Sequence, residues 1–178
     1  MKHLTALLVG TMAVFMAFAP LASAQKKGTR IENIGTRAYF DQYNYEVETV
    51  GVGTEGTKAL KVWAYGKKVD QAVQTAKKCA VAACIYRGLP ASTYTLATPA
   101  LCPEEPGEEW NDFFRDFFKD GGEYLNYVNL TSDGDPSGQD RLKMKGGYKV
   151  GVYVQVLFDR LRKDLEAKGV IKSMDSWF

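Results

Sequence analysis

Histidine is all but missing from this chain: its single occurrence is His3, close to the amino terminus. Imidazole is the usual group for proton transfer near neutral pH and the commonest metal ligand. Its scarcity excludes Ser-His-Asp and Cys-His catalysis and His-ligated zinc from the body of the protein. Cysteine is also sparse, with three residues and no Cys-x-x-Cys pair, which argues against dithiol redox chemistry. A formal net charge of only +2 gives no electrostatic basis for binding nucleic acid. The composition calls for no cofactor, and no catalytic residue is assigned.

Long apolar runs are confined to the beginning. Lys2 and His3 precede an apolar stretch from Leu4 to Leu21, broken near its end by Pro20, and Ala22-Ser23-Ala24 offers the small residues a signal peptidase accepts. Residues 1–24 therefore read as an export signal cleaved between Ala24 and Gln25. A permanent anchor needs about 20 apolar residues, and Pro20 with the Ala-Ser-Ala site favours removal instead. No cysteine stands at the cleavage site to carry a lipid, so the expected product is periplasmic or secreted, without a stable membrane anchor.

In an oxidising compartment three cysteines allow one bridge at most. Cys79 and Cys84 diverge around a helix and stand about 8 Å apart, too far to join. A bond from Cys102, in a proline-bounded loop, to Cys84 or Cys79 is the feasible one, with Cys84 and Cys102 as the leading pair. The competing expectation is that Cys79 and Cys84 are small buried apolar residues.

Residues 25–44 carry scattered polar groups with Gly28 and Gly35 and read as loosely ordered; residues 45–178 read as one domain. Tyr45, Val47 and Thr49 alternate, as do Leu60, Val62 and Ala64 against Lys61, Trp63 and Tyr65, predicting two strands joined by a turn near Thr54 to Thr57. Asp70 is placed as the cap of a helix with small residues Val69, Val73, Ala76, Ala80, Ala83 and Cys84 on one stripe, ending by Gly88-Leu89-Pro90. After a proline-rich loop over residues 88–107, Trp110, Phe113, Phe114, Phe117 and Phe118 share one face of a second helix. A hairpin follows, Arg141 to Lys145 and Tyr148 to Val156 across Gly146-Gly147, then a helix from Phe158 that stops at Gly169. The expected fold is α+β: a two-layer sandwich in which an antiparallel sheet of two hairpins carries about three helices on one face. So many rings on one stripe belong in the core; left exposed they would mark a protein or glycan contact.

Three short motifs invite chemistry. Gly51-Val52-Gly53-Thr54-Glu55-Gly56 spells the dinucleotide fingerprint, but a strand follows where a helix should open, so a hairpin turn is the better reading. Asp133, Asp135 and Ser137 with Gly138 resemble the start of a calcium loop. Met144 occupies the twelfth position, where a bidentate carboxylate belongs, so calcium is a minor expectation beside an acidic turn. Glu104, Glu105, Glu108, Glu109 and Asp112 offer carboxylates for histidine-free glycoside hydrolysis, yet acids at a helix start are explained by the dipole alone.

The order strand (Ala59 to Tyr65), Gly66, helix with Ala72, Ala76, Ala80 and Ala83, then Gly147-Tyr148-Lys149-Val150 leading into a leucine-bearing helix resembles the amino-terminal domain of flagellar assembly protein T. The related small-lipoprotein family of Gram-negative bacteria shares this order, and the resemblance covers about residues 45 to 168. It implies a non-enzymatic α+β module that meets an envelope protein partner. The chain differs in its aromatic helix and in lacking a lipid-attachment cysteine. A binding protein for glycans or small ligands, using exposed aromatics, is the alternative expectation, and a carboxylate hydrolase a remote one.

Overall fold

The computed structural model describes residues 36–172 apart from Gln42, Glu105 and Asp133. The segment read as an export signal, its expected cleavage site between Ala24 and Gln25, and the rest of residues 1–35 lie outside the described residues. Helix α1 (Thr36–Asp41) leads into strands β1 (Glu46–Val52) and β2 (Lys58–Gly66) and helix α2 (Val69–Ala82). Then come α3 (Asn111–Phe117), the short β3 (Val128–Leu130), β4 (Arg141–Met144), β5 (Gly147–Val156) and α4 (Phe158–Ala167).

All strand pairs are antiparallel, in the order β1-β2-β5-β3, and β4 pairs with β5 as well. The two expected hairpins are present: β1–β2 turns over Thr54–Gly56, and β4–β5 turns at Gly146, whose φ of +92° suits glycine. The fingerprint-like glycines belong to the first hairpin, with Glu55 and Gly56 both at positive φ. Joining β2 to β5, in register Val62↔Val152, makes the two hairpins one sheet.

Period-two patterning decides the two faces. Leu60, Val62 and Ala64 of β2 and Val150, Val152, Val154 and Val156 of β5 are buried, and α2 packs on both strands. Ala72, Ala76, Ala80 and Ala83 are fully buried, so small side chains bring the α2 backbone close to the sheet. Phe158, Leu161 and Leu165 of α4 complete the same core. The two-layer α+β sandwich expected from the sequence is the observed fold.

Local details differ from expectation. The α2 cap position is Lys68, without a side-chain cap, and Asp70 lies inside the first turn. There an acid still favours the positive helix end. The aromatic stripe is divided: Trp110 ends a 3₁₀ turn (Glu108–Trp110) and α3 stops at Phe117. Phe114, Phe117 and Phe118 are buried whereas Trp110 and Phe113 are half-buried. The segment read as loosely ordered contains α1, pinned where Phe40 meets Phe118 edge-on at 4.5 Å between ring centres. Strand β3 has no counterpart in the sequence reading because three residues are too few for a period to show.

Candidate functional site

Most of the residues singled out for chemistry do not converge. Glu104, Glu108, Glu109 and Asp112 are exposed, and Asp112 pairs with Arg115, while Glu105 lies outside the described residues. Asp135 and Ser137 are exposed and Asp133 is not among the described residues. The acid that closes that loop, Asp140, is engaged with Lys61 at 2.8 Å. The described residues contain no group of three or more His, Cys, Asp or Glu side chains placed to hold a metal, and no helix long and apolar enough to cross a membrane.

No disulfide joins Cys84 to Cys102 in the structure: Cys79, Cys84 and Cys102 all carry thiols. The backbones do approach, since Leu101 N–H donates to the Cys84 carbonyl and Cys102 N–H to the Ile85 carbonyl. The side chains go separate ways. Cys84 is fully buried in the core, and the Cys102 thiol lies 3.4 Å from the Glu104 carbonyl. Burial pushes the Cys79 and Cys84 thiols up to about 12, so neither is a nucleophile at neutral pH.

Two surfaces stand out. The first is the loop of residues 88–102. Helix α2 widens into a π turn over Ala83–Arg87, closed by the Gly88 N–H on the Ala83 carbonyl at 2.8 Å. Helix ends leave carbonyls unsatisfied, and here the returning loop fills them, Cys102 N–H reaching Ile85 O at 2.7 Å. Gly88 is required, because φ is +75° and a Cβ would stand 2.6 Å from the Thr98 carbonyl. Leu89 and Thr98 exchange both backbone hydrogen bonds, Thr49 Oγ1 donates to the Pro90 carbonyl at 2.7 Å, and Ser92 and Thr95 tie the tip together.

This anchored tip holds Tyr94 and Leu96 out in water, 86% and 89% exposed, the most exposed large apolar side chains among the described residues. They face Val50 and Val52 across a shallow groove of about 590 Å³ that also takes in Lys58. Val50 is the extra residue of a register shift in β1, between Thr49 and Gly51, and lies exposed on the side opposite buried Thr49. From Gly88 to Pro103 there is no charged residue, in a chain that is 25% Asp, Glu, Lys and Arg. That gap is the sequence signal for this surface, and the proline count alone does not reveal it.

The second surface is the open face of the sheet. Trp63 lies over Gly151 of the neighbouring strand, where a Cβ would come within 3.0 Å of the indole. Its Nε1–H donates to Glu48 at 3.2 Å. The ammonium groups of Lys61 and Lys149 stand 4.8 and 5.2 Å from the ring centre, and Lys61 also sits 5.0 Å from Tyr153. Each is ion-paired at 2.8 Å, Lys61 with Asp140 and Lys149 with Glu46, and these hydrogen bonds hold both lysines above the ordinary ammonium range.

No protein-family model, characterised protein or solved structure matches the chain. Its function is therefore read from these two surfaces.

Proposed function

We propose that this chain is a non-catalytic exported envelope protein, periplasmic or secreted, that works as an interaction module. Its docking surface is the tip of the 88–102 loop with the adjoining end of β1. The observation that carries the reading is the near-complete exposure of Tyr94 and Leu96 on a loop fixed by backbone hydrogen bonds. A loop free to fold its apolar side chains away would do so; this one is held by Leu89–Thr98 pairing and by its seat on the π turn. Contact surfaces are distinguished by aromatic anchors and depleted charge at their centre, which describes residues 88–103. The bulge at Val50 twists the β1 edge, so side-chain docking into the groove is favoured over strand addition. The amino-terminal sequence supports export, and the resemblance of chain order to the flagellar assembly and small-lipoprotein domains points to the same kind of role.

A photo-reactive residue at position 96 tests the proposal in intact cells of the native host. A discrete protein adduct is expected from position 96 and none from Lys163, an exposed residue of α4. Serine at both 94 and 96 should abolish co-purification of that adduct partner while shifting stability by less than about 0.5 kcal/mol, the usual effect of surface substitutions. Equal labelling from both positions, or none from either, refutes the proposal.

A further inference from the structure

We propose that the end of the sheet formed by the β4–β5 turn and the exit of β2 is a separate site, which docks reversibly on the surface of an anionic lipid bilayer. It is independent of the docking loop. Lys67 and Lys68 leave β2 beside this turn, where a Cβ built at Gly147 would stand 3.1 Å from the Lys67 Cα. Arg141 and Lys143 lie along β4 and Lys145 in the turn itself, and all five cations are exposed. None of the five forms an ion pair with a described residue, whereas Lys61, Lys78, Lys119, Lys149 and Lys168 are each held by a carboxylate. Residues 65–70 and 141–150 contain a single acid, Asp70, against those five charges and the already paired Lys149. This end therefore concentrates positive charge in a chain whose formal net charge is only +2.

Shape and apolar side chains select a bilayer over other anions. Among the described residues β4 pairs with β5 alone, and its side chains alternate, Arg141 and Lys143 to one side, Leu142 and Met144 to the other. Leu142 and Met144 are 46% and 47% exposed, and a Cβ built at Gly146 meets nothing within 4 Å, so the turn projects from the body. The rings of Tyr65 and Tyr148 face Lys149 and Arg141, so the apolar contribution comes from Leu142 and Met144. A bilayer interface answers both features at once: its phosphates take up unpaired ammonium and guanidinium groups, and the acyl boundary beneath them accepts apolar side chains carried on a projecting turn. A nucleic acid backbone offers the phosphates without the apolar layer. An acidic peptide adding to this edge would have only a four-residue strand to pair with, and very short edge strands are poor templates for strand addition. Docking through charge and two apolar side chains is reversible and weakens with salt.

The test is sedimentation of the exported chain with vesicles of phosphatidylcholine alone and of phosphatidylcholine mixed with phosphatidylglycerol. Binding is expected to the mixed vesicles only, and it should be lost in about 1 M salt, where charges are screened within about 3 Å. In bicelles of the mixed lipids carrying a spin-labelled lipid, amide signals of residues 66–68 and 142–147 should broaden while those of residues 92–98 do not. Lys143→Gln/Lys145→Gln and Lys67→Gln/Lys68→Gln should each weaken binding, by about fivefold for every lysine removed. Leu142→Ser/Met144→Ser should weaken it with the salt dependence unchanged, and Lys163→Gln on α4 should leave it as it was. A Tyr94→Ser/Leu96→Ser protein should bind vesicles as the parent does, so loss of the docking reading would leave this one standing. The proposal fails if the mixed vesicles are not bound, whether or not poly-glutamate or a DNA duplex is, or if the neutral vesicles are bound equally. It fails also if a folded Lys143→Gln/Lys145→Gln protein retains full affinity, or if Lys163→Gln weakens binding as much.

Discussion

Replacing Phe114 by alanine isolates what the aromatic stripe contributes. Phe114 is fully buried and its ring meets Phe113, Tyr86, Phe117 and Phe118 at centre separations of 5.0, 5.7, 6.3 and 6.3 Å. Truncating a buried phenylalanine costs about 3–5 kcal/mol, made up of lost transfer energy and the cavity left behind. The neighbours here are planar rings in edge-on, tilted and stacked contacts that cannot collapse into the space, so the upper part of that range, about 4–5 kcal/mol, is expected. Total stabilities run to about 5–15 kcal/mol, so the variant stays folded only if the parent is well above the minimum. Phe113 is the internal control: it is half-buried at the edge of the same cluster, with Lys168 4.9 Å over its ring, and Phe113→Ala should cost about 2 kcal/mol. Urea unfolding followed by circular dichroism at 25 °C measures both, with unchanged m-values as the sign that the native and denatured states are otherwise alike. A Phe114→Ala cost below about 1 kcal/mol, or one smaller than that of Phe113→Ala, would refute the packing account.

Two thiol predictions follow from the core. Native protein exported without reductant should take up one iodoacetamide quickly, at half-buried Cys102, and all three only after denaturation, because Cys79 and Cys84 are fully buried; a linked peptide pair containing Cys84 and Cys102 would contradict the structure. The same burial makes stability fall with alkali. Both thiols are raised to about 12 in the folded chain, whereas in the unfolded chain they ionise from about 8.5. Unfolding therefore releases protons between those values, and stability present in full below the lower one declines by about 1.4 kcal/mol per pH unit for each thiol. Urea titrations at pH 8 and 10 check the slope, which Cys84→Ala should reduce; an unchanged unfolding free energy across that interval would show that the thiols are not held neutral.

The sequence announced the layers better than the surfaces. Strands β2 and β5 were legible because Leu60, Val62, Ala64 and the Val150 to Val156 series alternate strictly, and α2 because its small residues recur at helical spacing. Each is a local pattern, set by the period of the element that carries it. Strand β3 was not legible, since Val128–Leu130 is a strand only by virtue of pairing with residues 154–156. The same limit applies to the open face. Lys61, Trp63 and Tyr65 were visible as the polar side of a strand, but Gly151 and Tyr153 join them through a register that no residue near position 63 encodes. The structure holds Cys84 and Cys102 unbridged for a related reason. Loop and helix do meet at residues 84–85 and 101–102, yet backbone proximity does not fix where the side chains point, and the Cys84 side chain belongs to the core.

The two surfaces differ in how each is made rigid, and that difference bears on what each can bind. At the open face the rigid parts are side chains, locked to one another by ion pairs and ring contacts on a paired sheet, so the polar atoms stand in fixed places before any ligand arrives. On the loop only the backbone is fixed, by Gly88, by Leu89–Thr98 pairing and by the Thr49 contact to Pro90. Tyr94 and Leu96 at its tip remain almost wholly exposed, on the rim of the groove they share with Val50 and Val52. Their rotamers are settled only when a partner surface closes over them, and the fixed backbone keeps the ordering cost to those two side chains, about 0.5–1.5 kcal/mol each. A small polar ligand cannot repay that with buried apolar area, whereas a protein surface that covers both side chains can. The exposure of these two side chains on a fixed backbone is thus the feature that favours a macromolecular partner for the loop.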